Sequence, residues 1–148
     1  MKNKLVIVTG ASSGIGKACA EKFAQEGANL VLAARSADKL RDVAENIARY
    51  GVQVLPVVTD VGIEEECKRL IKSAISKFGG IDVLVNNAGI SMRASFTDVD
   101  TSVIKKVMDV NFWGTVYCTR YAISSILQNK GSIVGVSSIA GYKGLPGR

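Results

Sequence analysis

Residues 5–16 read Leu-Val-Ile-Val-Thr-Gly-Ala-Ser-Ser-Gly-Ile-Gly. Leu5, Val6, Ile7 and Val8 form an unbroken apolar run rich in β-branched residues, the pattern of a strand buried on both faces of a parallel sheet. Thr9 and Gly10 end the run, Gly14 and Gly16 follow, and a helical pattern begins at Ile15. A residue without Cβ takes tight-turn angles and lets a ligand lie close to the backbone. The unpaired N–H groups at the helix start then suit a pyrophosphate, whose charge the helix dipole favours. Gly10, Gly14 and Gly16 are therefore read as a phosphate turn, completed by Ser12, Ser13 and Ile15, with the serine hydroxyls available to the phosphates. The competing reading is a strand-to-helix turn without a ligand. The buried strand before it and the helix after it favour the nucleotide site.

Working outward, strand and helix patterns alternate. A helix is expected over Ile15 to Gln25, with Ala18, Cys19, Ala20, Phe23 and Ala24 inward and Gly27 as its stop. Leu30 to Ala34 is the second buried strand. Ser36 or Asp38 can cap a helix running to about Tyr50, in which Leu40, Val43, Ala44 and Ile47 share one face. Val52 to Val58 is a third strand, best placed at an edge because Pro56 donates no ladder bond. Ile63 to Phe78 is a third helix, Val83 to Val85 a fourth strand, Asp100 to Leu127 one long helix, and Ser132 to Val136 a fifth strand. Strict alternation implies right-handed crossovers and helices on both faces. The expected fold is a doubly wound α/β sheet in the order 3-2-1-4-5, one Rossmann domain over residues 1–148.

In such sheets ligands bind at the carboxyl ends of the strands, where the order reverses. Those ends are Thr9-Gly10, Ala34-Arg35, Thr59-Asp60, Asn86-Asn87 and Ser137-Ser138. A site for NAD commonly places an acid after the second strand, on the ribose 2′-OH. Here Ala34 stands in that place and Arg35 follows. A guanidinium pairs with a 2′-phosphate through charge-assisted hydrogen bonds, so NADP is favoured over NAD. The alternative is a solvent-exposed Arg on a loop. Lys39 can contribute or be a surface residue. The Asp60 carboxylate can accept from an adenine amino group beside the Val61 backbone, or cap the next helix, or both. Ala88 and Gly89 leave room for a ligand, and the Asn86 and Asn87 amides can tie strand ends together. Asn87, Ala88 and Gly89 are expected along the adenosine ribose. Asn111 interrupts the apolar run Val107, Met108, Val110, Phe112, Trp113, and a buried amide must find partners, for instance on a neighbouring strand.

Thr-Gly-Ala-Ser-Ser-Gly-Ile-Gly at residues 9–16 together with Asn-Asn-Ala-Gly at 86–89 resembles the short-chain dehydrogenase/reductase family. The resemblance covers the whole 148-residue chain but only the front portion of the family's pattern. It implies hydride transfer between a nicotinamide cofactor and a carbonyl or alcohol substrate. It also implies a distorted helix at Asn111, whose main-chain carbonyl would hold a water in a proton relay. Ser138, three residues before Gly141, matches the family's catalytic serine and would hold the substrate oxygen. The helix face at Phe112, Trp113 and Val116 resembles the one that pairs subunits, which implies a homodimer or homotetramer. Core packing is the alternative. Family members place a Tyr-x-x-x-Lys pair about a dozen residues after the serine. The residues four after Tyr50, Tyr117, Tyr121 and Tyr142 are Val54, Tyr121, Ser125 and Pro146, so none supplies the Lys. A natural protein that continues past Arg148 is expected. Residues 1–148 alone would lack the proton donor and expose apolar surface at the last helix and strand. A non-catalytic nucleotide-binding module on the same fold is the second reading.

The remaining features exclude other classes. The chain has no His, so a His-based triad, base or zinc site is ruled out within these residues, and no metal site is expected. Cys19, Cys67 and Cys118 are odd in number and form no C-x-x-C, which fits a reducing, cytoplasmic setting. The net charge of +6 comes from basic residues interleaved with acids on helices, so no nucleic acid is expected as a partner. No apolar run reaches the ~18 residues of a membrane span.

Overall fold

The computed structural model describes residues 1–145. Pro146 and Arg148 of the sequence reading lie outside them. The elements are β1 (Leu5–Thr9), α1 (Gly14–Gln25), β2 (Asn29–Ala34), α2 (Ala37–Ala48), β3 (Val54–Val58), α3 (Glu64–Phe78), β4 (Val83–Asn86), α4 (Thr101–Met108), α5 (Gly114–Gln128) and β5 (Ser132–Gly135). A π-helical segment, Asp109–Trp113, joins α4 to α5. A 3₁₀ turn, Ile139–Gly141, follows β5.

All strands are parallel, in the order β3-β2-β1-β4-β5. Val8 lies beside Leu32 of β2 and Val85 of β4. Every residue of β1 is buried, because its alternate side chains feed two cores. Leu5 and Ile7 join Val31, Ala33, Leu84 and the inner faces of α3 and α5. Val6 and Val8 join Leu30, Leu32 and the inner faces of α1 and α2. Burying one such side chain fully stabilises the fold by roughly 1.5–3 kcal/mol, which is why this short central strand has no polar residue before Thr9.

The edges differ. Pro56 sits exposed on the outer strand β3, as its missing N–H requires. On the opposite edge all of β5 is exposed, with Ile133 at 40% and Val134 at 44%, so the expected apolar surface at this end is present. Among the described residues no helix is long and apolar enough to cross a membrane. Nor does any group of three or more His, Cys, Asp or Glu among them suit a metal ion.

Several local expectations change. Ala18 is exposed, and the inward face of α1 is Gly16, Ala20 and Ala24. β3 starts at Val54 and α2 stops at Ala48, each shorter than the apolar pattern suggested. The long helix from Asp100 is interrupted: the Asp100 carboxylate caps α4 by accepting the Ser102 N–H at 2.7 Å, and regular winding gives way at Asp109.

Candidate functional site

The glycine turn is locked to the end of β4 before any ligand is considered. The Thr9 hydroxyl accepts the N–H groups of Asn87 and Ala88, both at 3.0 Å, and donates to the Val85 carbonyl at 3.3 Å. The Asn87 side-chain amide donates to the Thr9 carbonyl oxygen at 2.9 Å. These bonds join β1 to β4, the point where the strand order reverses. Gly16 is needed for the same junction: a Cβ there would lie 2.5 Å from Asn87 Nδ2 and collide with the Gly10 carbonyl. Gly14 is needed for another reason. Its φ is +53°, and a Cβ there would meet nothing within 4 Å. It keeps a left-handed turn and an open approach to the start of α1.

The start of α1 fits an anion. Ser13 stands at the N-cap but makes no side-chain capping bond, and the first turn holds no acid. The earliest recorded helical N–H bond runs from Lys17 to the Ser13 carbonyl. Helix geometry leaves the N–H groups before it without an intrahelical acceptor, which suits the oxygens of a pyrophosphate.

Beside this turn lies a cleft of about 400 Å³. It is bordered by Gly10, Ser12 and Ser13 of the glycine turn, by Arg35 and Lys39 after β2, and by Asp60 and Val61 after β3. Asn87, Ala88 and Gly89 close the side toward β4. Residues from four separate strand ends thus meet in one place. Gly14, Ile15, Gly16, Asn111 and Ser138 do not line this cleft, although the first three form the turn at its edge. Lys39, one helical turn beyond Arg35, faces the cleft, and Ser36, Ile90 and Val110 also border it. Ser36 and Lys39 were legible from their place after β2. Val110 was not, because it follows no strand and lies in the π-helical segment.

Asp60 is held at both carboxylate oxygens. Oδ1 accepts the Gly62 N–H at 2.9 Å and Oδ2 pairs with Lys106 Nζ at 3.2 Å. Its own N–H donates to Glu66 Oε2 at 2.6 Å. Partial burial pushes the Asp60 carboxyl up. The Gly62 N–H, the Lys106 ammonium and the more distant Arg35 outweigh that and hold it below the usual carboxylate range. Asp60 therefore closes a turn onto Gly62 rather than capping α3, whose N-cap position is Ile63. Val61 is buried, and its carbonyl accepts the Cys67 thiol at 3.2 Å.

Asn111 lies within the π-helical segment and is exposed, contrary to the buried amide expected. Its side chain clamps one residue of the loop after β4: Oδ1 accepts the Ile90 N–H at 2.9 Å and Nδ2 donates to the Ile90 carbonyl at 2.8 Å. Its main-chain carbonyl accepts the Thr115 hydroxyl at 3.3 Å. Ser138 caps the 3₁₀ turn, its Oγ accepting the Ala140 N–H at 3.2 Å. That bond leaves the Ser138 O–H free to donate. Phe112 and Trp113 are 50% and 43% exposed, so the core-packing alternative for them does not hold. They form an edge-to-face pair at 5.3 Å, and Trp113 stacks on Tyr117 at 5.7 Å.

A doubly wound parallel sheet with a glycine turn at its switch point is the architecture of dinucleotide-binding domains. The sequence model described as short chain dehydrogenase matches residues 4–148, and the chain belongs to that family. It is 43% identical over 148 residues to an 11-beta-hydroxysteroid dehydrogenase-like protein, 4A, of Arabidopsis thaliana, covering 99% of this chain and 50% of the relative. The chain thus spans half the length of that curated relative. Among solved structures, the L-sorbose reductase of Gluconobacter frateurii, complexed with NADPH and L-sorbose, superposes with a TM-score of 0.95. It is 34% identical, covering 99% of this chain and 56% of that one. An NAD+-bound xylitol dehydrogenase superposes with a TM-score of 0.94 at 32% identity, covering 99% of this chain and 57% of that one.

Proposed function

We propose that these residues form the NADP-binding part of an oxidoreductase that moves a hydride between NADPH and a carbonyl or alcohol substrate. Residues 1–148 are read as one Rossmann domain, the front portion of a longer catalytic domain. The observation that carries the choice of NADP is the wall after β2. Ala34, not an acid, ends the strand, and Arg35 and Lys39 both border the cleft. A 2′-phosphate fits two cations there, whereas a free 2′-OH finds no carboxylate acceptor after β2.

When bound, NADP(H) supplies or accepts the hydride. The chain's own residues bind and orient. The N–H groups at the start of α1 and the Ser12 and Ser13 hydroxyls hold the pyrophosphate. Asp60 accepts from the adenine amino group beside Val61, and Asn87, Ala88 and Gly89 lie along the adenosine ribose. Ser138 donates its O–H to the substrate oxygen. Asn111 contributes its main-chain carbonyl to proton flow, since its side chain is committed to Ile90. The relatives' names include hydroxysteroid and polyol dehydrogenases, which supports a CH–OH substrate. The exposed Phe112 and Trp113, the latter stacked on the half-buried Tyr117, support assembly as a homodimer or homotetramer. The three free cysteines fit a reducing cytoplasm.

Calorimetric titration of the full chain with NADPH and with NADH tests the reading. NADPH is expected to bind more tightly, and Arg35→Ala to erase the difference. Tighter binding of NADH by the wild-type chain overturns it.

A further inference from the structure

Asp60 poses an electrostatic problem for the cofactor proposed above. It borders the same cleft as Arg35 and Lys39, so its negative charge shares that cleft with the proposed 2′-phosphate. A carboxylate and a phosphate in one cleft repel each other, and the low-dielectric walls of a cleft strengthen that repulsion. The neighbouring acid, Glu66, is compensated from α3 itself by Arg69 at 3.7 Å. Asp60 is compensated from farther along the chain. Lys106, on α4, reaches across and pairs with Oδ2 at 3.2 Å. Lys106 does not border the cleft, so it does not touch the cofactor space. The pair leaves the Asp60 side chain only 21% exposed, with Oδ1 fixed by Gly62. The carboxylate is therefore positioned for an adenine amino group while its charge is offset.

We propose that Lys106 is a specificity-determining positioning residue: by neutralising Asp60 from behind, it lets the cleft accept a 2′-phosphate. The inference rests on the NADP reading and goes beyond it. Arg35 and Lys39 attract the phosphate directly, whereas Lys106 offsets the one carboxylate that borders the cleft among the described residues. The same contact ties α4, just before the π-helical segment, to the loop after β3. That loop is also fitted to the segment elsewhere: a Cβ at Gly62 would touch Asp109 Cβ at 3.5 Å, and one at Gly114 would lie 2.7 Å from Val61 Cγ2.

A double-mutant cycle on the full chain tests this, with calorimetric affinities for NADPH and NADH at low ionic strength as the readout. Lys106→Gln is expected to lower the NADPH-to-NADH affinity ratio about two- to five-fold, the range for a partly exposed ion pair, with NADH affinity little changed. In the Asp60→Asn background the same substitution is expected to leave the ratio unchanged. Equal weakening of both cofactors would make Lys106 merely structural and overturn the proposal. So would a ratio change that persists without the Asp60 charge, because Lys106 would then act on the phosphate directly. A wild-type chain that prefers NADH overturns the NADP reading itself, an outcome read before any Lys106 variant is made.

Discussion

The Asn87 side-chain amide donates to the Thr9 carbonyl oxygen at 2.9 Å, while the Thr9 hydroxyl accepts the Asn87 N–H at 3.0 Å. Two residues 78 positions apart thus bind each other in both directions, across the crevice where the strand order reverses. Thr9 is buried, and its hydroxyl is the acceptor that the structure gives both N–H groups. Thr9→Val keeps the shape and removes the acceptor. It should destabilise the fold by about 1–3 kcal/mol, the cost of leaving a buried donor unpaired. Thr9→Ser should retain most of the stability. Urea unfolding of the variants, compared at unchanged m-value, checks both.

The glycines of the turn should respond to substitution for different reasons. Gly16→Ala drives a methyl into the Gly10 carbonyl and Asn87 Nδ2, neither of which is the free end of a flexible chain. Overpacking of that kind costs about 1–3 kcal/mol, and it displaces α1 from the cleft, so NADPH affinity should fall as well. Gly14→Ala meets no atom and pays only for its left-handed φ, about 1–2 kcal/mol. Thermal unfolding with and without NADPH separates the two. Gly16→Ala should lose most of the cofactor-induced rise in Tm, whereas Gly14→Ala should keep more of it.

The alternation of buried strand and amphipathic helix carried the fold, because the inner strands β1, β2 and β4 are covered on both faces and read as near-continuous apolar runs. Leu5 to Val8 shows the pattern at its clearest. The strand-end rule then carried most of the cleft, since Gly10, Arg35, Asp60 and Asn87 all follow strands directly. Contacts between distant segments were not legible. Nothing in the sequence shows that Lys106 reaches Asp60, or that Asn111 grips Ile90. Asn111 lies in the π-helical segment between α4 and α5, whose winding the sequence does not announce, and Lys106, on α4 before it, meets Asp60 only through tertiary packing. Exposure at Asn111 escaped the reading for a related reason, while at Phe112 and Trp113 it removes only the core-packing alternative: apolar periodicity marks a face that can be covered, not what covers it.

Asp60 should give the fold a specific acid sensitivity. Its carboxyl is held below the ordinary range in the folded protein, despite partial burial, by the Gly62 N–H and Lys106. A depressed folded pKa means that the unfolded chain binds the proton more readily. The stabilisation is therefore complete above the unfolded value of about 3.9 and is lost as the pH falls through the lower folded value. Asp60→Asn should remove this part of the slope of stability against pH below about pH 4, and leave the slope near neutrality unchanged. Urea midpoints measured from pH 3 to pH 7, at about 0.1 M salt, test it. An identical slope in the variant would show that other carboxylates carry the acid dependence.

Asn111 should report on the loop after β4 rather than on the core. Its amide holds both the N–H and the carbonyl of Ile90, at 2.9 Å and 2.8 Å, from an exposed position. In Asn111→Ala both backbone groups turn to water, so each lost bond should cost about 0.5–1.5 kcal/mol rather than a buried-group penalty. The effect should be local, because no core side chain moves. Amide hydrogen exchange at Ile90 should speed up by about ten-fold or more, while the buried β1 amides of Val6 and Val8 exchange as before. Asn111→Asp keeps the acceptor for the Ile90 N–H but places a carboxylate against the Ile90 carbonyl, so it should protect the loop less well than Asn. Unchanged exchange at Ile90 in Asn111→Ala would mean that the loop is held by its own backbone, and that the amide clamp contributes nothing measurable.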